Sequence, residues 1–224
     1  ENPRSAQIVV GDFCFFAGRP SESLVRNKPD DRESNFVIMV PSSEEWAHVI
    51  EKVYQGCSKK IKRYAIKKEP DVFDKDKLEN IVKNCPKGFS LGRIDEEVYR
   101  QAMENPWSAD LCSQFKDYQD YRERGLGTAA FDGHILAAGA SSYTVYRGGI
   151  EIEVDTRRDY RRKGLALCCA AQLILDCLER GLYPSWDAHN PASVALSEKL
   201  GYHFEKEYTA YEVYGFTGKE EGQL

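Results

Sequence analysis

The feature that most constrains the fold is an almost uncharged segment in the C-terminal half of the chain. From Leu165 to Leu178, only Gln172 and Asp176 interrupt a run of Leu, Ile, Ala and Cys. A run of this length and pattern is typical of a helix, and a helix that is apolar on nearly every side is buried. We therefore predict a helix over 164–180 that is enclosed by the rest of the protein on most of its sides.

A basic, glycine-containing loop stands directly before this helix. Five of the seven residues from 157 to 163 are Arg or Lys, and Gly164 and Ala166 open the helix. A helix N-terminus carries free backbone N–H groups and the positive end of the helix dipole. Small residues let a ligand approach these amides closely, so the pattern favours a ligand with several phosphates. Taken alone, the loop fits a solvated basic turn equally well.

Strand and helix signals alternate along the rest of the chain, which predicts an α/β fold. In the first half we predict strands at 7–16, 36–40 and 61–67, a loop at 21–32, and helices from Ser42 or Ser43 to Gly56, at 74–84 and at 95–104. In the second half we predict helices at 108–124 and 191–200 and strands at 128–131, 134–142, 150–155, 184–189 and 204–213. We place a domain boundary loosely near residue 110 and expect the two parts to pack tightly.

Composition disfavours several classes of protein. With 31 basic and 36 acidic residues the net charge is −5, which argues against a general nucleic-acid coat. The longest uncharged stretch, 133–146, is shorter than the roughly 18 apolar residues of a membrane span. Seven cysteines without a C-x-x-C pair and four scattered histidines offer no zinc-ligand spacing. We expect no metal, no membrane partner, reduced thiols and a cytoplasmic protein; nothing in the pattern predicts an oligomeric state.

Two motifs carry a resemblance to a known family. Arg161-x-x-Gly164-x-Ala166 resembles the pyrophosphate-binding motif of the GCN5-related N-acetyltransferase (GNAT) superfamily, whose pattern is Gln/Arg-x-x-Gly-x-Gly/Ala. The stretch from Asn190 to Tyr202, an Asn-led helix ending in Gly-Tyr, resembles the second cofactor motif of that superfamily. Further segments, at 11–18, 63–68, 150–156, 183–190 and 207–211, are similar to the branch that includes zwittermicin A resistance acetyltransferases.

The resemblance implies a GNAT-like mixed sheet flanked by helices, in which the strands at 150–155 and 184–189 splay apart around acetyl-CoA. It implies an acetyl-CoA-binding domain over 111–224, and an N-terminal α/β region over 1–110 that packs against it and shapes the acceptor cleft. The implied activity is transfer of acetyl from acetyl-CoA to an amine by direct attack. The implied cofactor contacts are Val154, Thr156, Arg161, Arg162, Lys163, Gly164, Leu165, Ala166, Asn190 and Ser193.

Such an activity needs a proton acceptor, because an amine attacks a thioester only in its neutral form. Glu151 and Glu153 lie two residues apart on one predicted strand and therefore share a face. If this face lines a cleft, the like charges raise one carboxyl pKa and provide a general base. Otherwise it is the solvated face of an amphipathic strand. Asp187 and His189 have the same spacing and form a candidate substrate-binding pair. These acids, with Asp155, favour a small, polar, cationic amine as the acceptor.

The sequence is compatible with several alternatives for the residue that protonates the thiolate and for the function. The family commonly has a tyrosine seven residues after the motif Asn, where it protonates the departing thiolate, but position 197 is Ser here. Ser197 through a water, Tyr208 or Tyr211 would have to take that role. The missing tyrosine leaves open a catalytically silent CoA-binding sensor or scaffold. A basic stripe at 59–68 offers an RNA surface, although a solvated strand face explains it better.

Overall fold

The computed structural model describes residues 2–30 and 34–217, and helices and strands are interspersed along these ranges, which confirms the predicted α/β class. The strands are β1 (Ser5–Val10), β2 (Phe13–Gly18), β3 (Phe36–Val40), β4 (Ser58–Ile66), β5 (Phe89–Arg93), β6 (Gly127–Asp132), β7 (Ile135–Tyr146), β8 (Gly149–Thr156), β9 (Tyr183–Ser185), β10 (Asp187–Ala188) and β11 (Phe204–Tyr214). The helices are α1 (Glu22–Arg26), α2 (Glu44–Val53), α3 (Lys75–Lys83), α4 (Glu96–Glu104), α5 (Tyr118–Arg124), α6 (Leu165–Glu179) and α7 (Pro191–Leu200). Single 3-10 turns lie at Ala109–Leu111 and Arg158–Tyr160.

The chain divides into two compact units. Unit 1 contains the residues up to Arg63 and those from Glu207, and unit 2 contains Tyr64–Lys206. The predicted boundary near residue 110 does not coincide with either border. The reason is that α3 and β5 pack with later elements: Leu78 of α3 and Ile174 of α6 lie in one buried cluster, and β5 pairs with β6.

Unit 2 is built on a mixed sheet with the strand order β5-β6-β7-β8-β9. Neighbours from β5 to β8 are antiparallel, and β9 runs parallel to β8. The apolar helix α6 packs against this sheet, where Leu173 and Ile174 share a buried cluster with Ile150 and Ile152 of β8. Burial of these side chains is the main stabilising term of the unit, at roughly 1.5–3 kcal/mol for each large aliphatic residue. The predicted mixed sheet with flanking helices is confirmed.

The strands β8 and β9 separate after three residue pairs. Gly149–Glu151 pair with Tyr183–Ser185, and the chain then leaves this sheet at Trp186. Its next two residues form β10 and pair with Tyr64 and Ala65 at the end of β4. The predicted single strand at 184–189 is therefore two short strands, each paired with a different neighbour. Among the described strands, none pairs with the edge of β8 beyond Glu151 that faces away from β7.

Unit 1 contains β1, β2 and β3 with β4 up to Arg63 and β11 from Glu207, in the order β1-β2-β3-β11-β4, and packs α2 over a core of its own. Trp46 and Ile50 of α2 are fully buried there with Met39 of β3, and the Trp46 ring stacks on Phe16 at 4.8 Å between centroids. The apolar face of α2 follows from its helical spacing, and Ser43 caps the helix by accepting a hydrogen bond from the Trp46 N–H.

Acidic neighbours neutralise much of the predicted basic stripe at 59–68. Lys59 pairs with Glu212 at 3.2 Å, and Lys62 pairs with Glu207 at 2.7 Å, both on β11. The guanidinium of Arg63 is buried and lies 4.8 Å from the ring centroid of Phe13. These contacts are those expected when the charged face of β4 lies beside the acidic residues of β11.

Four further segments differ from the prediction. The single strand predicted at 7–16 is the hairpin β1–β2, which turns at Gly11 with a φ of +54°. The loop predicted at 21–32 contains α1, and its positions 31 and 32 lie outside the described residues. The helix predicted at 108–124 is a 3-10 turn followed by α5, which Asp117 caps. The strand β5 was not predicted, because its five residues include only two apolar side chains and a glycine, too weak a signal for a strand.

Candidate functional site

The loop before α6 leaves a helix N-terminus open. Gly164 is the N-cap residue, it has a φ of +87°, and because it lacks a side chain it makes no capping hydrogen bond. A Cβ built on Gly164 would have, among the described residues, a single atom within 4 Å, the Cγ of Pro86 at 3.8 Å. Because the space over this glycine is open and α6 is 15 residues long, its first amides can receive an anion.

Contacts with neighbouring residues hold Arg161 and Lys163 of this loop in place. The Arg161 Nε donates a hydrogen bond to the Thr156 carbonyl at 3.2 Å, which ties the loop to the end of β8. The Lys163 ammonium lies 4.5 Å from the ring centroid of Tyr160, and the Tyr160 hydroxyl donates to Asp132 at 3.0 Å. Between them, Arg162 has a φ of +62°, a left-handed conformation that costs a non-glycine residue roughly 1–2 kcal/mol. Strain of this kind concentrates at ligand-binding loops.

The unpaired edge of β8 carries the predicted pantetheine contact Val154. Its N–H donates to the Glu153 carboxylate Oε1 at 3.2 Å, so Glu153 folds along this edge of the strand. The Thr156 carbonyl is the one that accepts from Arg161. A strand-like ligand can pair with this edge once the Glu153 carboxylate turns away from the Val154 amide.

A cavity of about 210 Å³ lies where β8 and β9 begin to separate. Glu151 and Asp187, predicted from separate motifs, both line it, and the Oε1 atom of Glu151 is buried. Glu153 and His189 are not among the lining residues. The complete lining is Ala65, Ile66, Lys67, Lys68, Glu151, Tyr183, Ser185, Trp186 and Asp187.

A hydrogen-bonded group that sequence reasoning missed adjoins this cavity. The Lys68 ammonium donates to the Tyr146 hydroxyl at 2.7 Å, and this hydroxyl lies 2.6 Å from the Ser185 Oγ. The same ammonium lies 4.3 Å from the Tyr146 ring centroid and 5.2 Å from that of Tyr183. A Cβ at Gly149 would collide with the Tyr146 hydroxyl and the Tyr183 carbonyl, so the glycine makes this arrangement possible. In the sequence, the signal for this group is Gly149, which follows Tyr146 and the turn at Arg147 and Gly148.

The second motif has a structural role that the contacts show directly. The Asn190 side chain caps α7 by accepting from the Ser193 N–H at 3.0 Å, and the Ser193 Oγ accepts from the indole N–H of Trp186 at 3.0 Å. These bonds fix the point where the chain passes from β9 to β10. Contact of Asn190 and Ser193 with a cofactor stays a prediction, as do all the residue roles predicted above.

Two of the three proposed replacements for the missing tyrosine, Ser197 and Tyr211, donate hydrogen bonds elsewhere. Ser197 is fully buried, and its hydroxyl donates to the Val194 carbonyl at 2.8 Å. Tyr211 is buried in unit 1, where its hydroxyl donates to Glu51 at 2.6 Å. Neither hydroxyl belongs to the lining of the cavity.

One further acid of β8 has a shifted pKa. Burial, and to a lesser degree the charge of Asp110, raise the pKa of the Asp155 carboxyl from 3.8 to about 6, against the opposing effect of Arg161. Asp155 follows Glu151 and Glu153 on the same face of the strand. This face therefore holds a carboxyl that exchanges its proton close to physiological pH.

Residues 2–30 and 34–217 hold neither a metal-ligand cluster nor a membrane-spanning helix. They contain no group of three or more His, Cys, Asp and Glu side chains placed to hold a metal ion. None of their helices is both long enough and apolar enough to span a membrane.

Comparisons with known proteins agree with this architecture. The uncharacterized N-acetyltransferase YdfB of Bacillus subtilis (strain 168) is 28% identical over 203 residues, which cover 88% of this chain and 71% of that relative. The crystal structure of a GCN5-related N-acetyltransferase-like protein from Streptococcus suis 89/1591 matches with a TM-score of 0.86 and 43% identity, covering 95% of this chain and 84% of that one. A GCN5-related N-acetyltransferase from Kribbella flavida, with a TM-score of 0.58 and 16% identity over 93% of this chain and 89% of its own, shares the fold.

The family assignment follows from a match over almost the entire length. A family model described as GNAT acetyltransferase covers residues 1–211. This range includes the open N-terminus of α6, the separating strands β8 and β9, and the cavity between them. The chain belongs to the GNAT acetyltransferase family.

Proposed function

We propose that this protein transfers an acetyl group from acetyl-CoA to the amine of a small polar acceptor by direct attack. The observation that carries the proposal is the uncapped N-terminus of α6 at Gly164, which follows the unpaired edge of β8. In this proposal the diphosphate is bound by Arg161, Arg162, Lys163, Gly164, Leu165 and Ala166. Val154 and Thr156 pair with the pantetheine arm, and Asn190 and Ser193 lie beside it.

The acid–base chemistry is assigned to the cavity. Acetyl-CoA supplies an activated thioester. Glu151 accepts the proton that the amine must lose, because its carboxylate lines the cavity and has a buried oxygen. Asp187 lines the same cavity and attracts the amine as an ammonium ion before attack. Glu153, on the same face of β8, is the second candidate for the base.

The cysteines support a cytoplasmic site of action. The seven cysteines all lie within the described residues, none of them forms a disulfide, and five are buried. Burial raises the pKa of Cys112 and of Cys177 to about 12, so these thiols stay protonated and unreactive. Free thiols in this number are typical of a reducing compartment.

Two measurements on the purified protein test the proposal. Acetyl-CoA at a hundredfold excess over its Kd stabilises the fold by about 2.7 kcal/mol, which raises the melting temperature by roughly 5–10 °C. Thiol release from acetyl-CoA then rises when small amines are added. No melting shift at millimolar acetyl-CoA would overturn the proposal. A shift without thiol release for any amine would instead favour the catalytically silent sensor.

A further inference from the structure

We propose that the acceptor is a small zwitterion, an aminocarboxylate whose carboxylate binds Lys68 while its amine faces Glu151; this rests on the proposed acetyl transfer. Both residues line the 210 Å³ cavity. The lining also includes a second lysine, Lys67, and a second acid, Asp187. The cavity thus presents both signs of charge, whereas acids alone would favour a purely cationic amine.

Lys68 is placed as an anion-binding group. Its ammonium is held by the Tyr146 hydroxyl and lies over the rings of Tyr146 and Tyr183. Within the described part of the chain, no carboxylate lies at ion-pair distance from this ammonium. An ammonium has three N–H donors, and the Tyr146 hydroxyl takes one of them, so others remain for a ligand. The two rings fix the position of a cation that would otherwise be mobile.

A series of contacts connects the Lys68 ammonium with the strand pair that carries the Glu151 carboxylate. The Tyr146 hydroxyl that holds Lys68 also contacts the Ser185 Oγ at 2.6 Å. Ser185 in turn is the register partner of Glu151 across β8 and β9. The anion-binding and proton-accepting groups therefore belong to one connected set of contacts at the cavity, as an acceptor with both a carboxylate and an amine requires.

The size of the cavity limits the acceptor to a small molecule. Pockets that bury drug-sized ligands have about 300–1,000 Å³, and this one has about 210 Å³. A short aminocarboxylate fits such a volume better than an extended aminopolyol. Charge-assisted hydrogen bonds contribute about 1.5–3 kcal/mol, which corresponds to tenfold or more in affinity.

The test compares acceptors that differ only in the carboxylate. Thiol release is measured for glycine against methylamine, β-alanine against ethylamine, and γ-aminobutyrate against propylamine. We expect kcat/KM for the best aminocarboxylate to exceed that of its matched amine about tenfold or more. Lys68→Met brings this ratio to about 1, Lys68→Arg keeps most of it, and Lys75→Met, at an exposed position of α3, leaves the ratio and the rate unchanged.

Three results would overturn the inference. One is a wild-type protein that acetylates the simple amines as well as the aminocarboxylates, and this would leave the acetyltransferase proposal intact. Another is a Lys68→Met variant that keeps the wild-type ratio. The third is no turnover with either kind of acceptor; the melting shift with acetyl-CoA in the same sample then shows whether cofactor binding also fails.

Discussion

Among single residues, the proposed base Glu151 is the most direct to test. Glu151→Gln removes the proton acceptor with little change in shape, so we expect turnover to fall about 10²–10⁴-fold. The melting shift with acetyl-CoA should persist, because Glu151 lies outside the loop before α6. Glu205→Gln, at an exposed position of β11, is the matched control and should keep the full rate. A loss in Glu153→Gln and none in Glu151→Gln would move the role of base to Glu153.

Asp155 gives a pH-dependent prediction. Its folded pKa of about 6 lies above the ordinary 3.8, so the folded state binds this proton more tightly than the unfolded chain. The resulting stabilisation is complete below about pH 4 and is lost as the pH rises through 6, a change of roughly 3 kcal/mol. Asp155→Asn should therefore gain stability relative to the wild type between pH 4 and pH 8, as measured by urea unfolding. A constant difference across this range would contradict the prediction.

The spacing of residues in the sequence predicted which acidic side chains lie at the site, but it did not predict which residues surround them. Alternation along β8 correctly placed Glu151 opposite the buried Ile150 and Ile152. It did not separate Glu151 from Glu153, because only the path of β9 determines which of the two meets the cavity. Lys68 was missed because its position depends on rings from two distant strands, and nothing in its own neighbourhood in the sequence indicates them.

At the level of secondary structure, the pairing of β8 with β9 sets the shape of the cavity. Gly149→Ala would push a Cβ into the Tyr146 hydroxyl and the Tyr183 carbonyl. We expect a destabilisation of about 1–3 kcal/mol in urea unfolding, with lower turnover, because Tyr146 must move away from Lys68. Gly148→Ala is the neighbouring control: its Cβ meets open space, although its φ of +88° still costs roughly 1–2 kcal/mol. Turnover that is reduced equally in both variants would show that Tyr146 is not needed.

Elements with strong local signals were predictable, and those defined by distant partners were not. The apolar run of α6 and its glycine start are local properties, and both were predicted. The division of 184–189 into β9 and β10 was not, because each half follows the hydrogen bonds of a different strand. The break in the helix predicted at 108–124 follows from Asp117, whose capping of α5 competes with a continuous helix.

For the whole molecule, the sequence predicted the α/β class, but it did not predict which residues belong to each of the two units. Unit 1 joins the two ends of the chain, since β11 lies between β3 and β4. A pairing between residues so far apart in sequence leaves no local signal. The family resemblance rested on motifs in the second half, whereas residues 65–68, which precede the predicted boundary, also line the cavity.

In the proposed function, the main chain around Gly164 binds the diphosphate of acetyl-CoA. The most direct measurement is the melting temperature with and without acetyl-CoA for the wild type, Gly164→Leu and Gly181→Leu. Both glycines have positive φ and open surroundings, so both substitutions strain the backbone alike. We predict that Gly181→Leu keeps the wild-type shift and Gly164→Leu loses it, because its side chain covers the first amides of α6. An equal shift in all three proteins would contradict the claim.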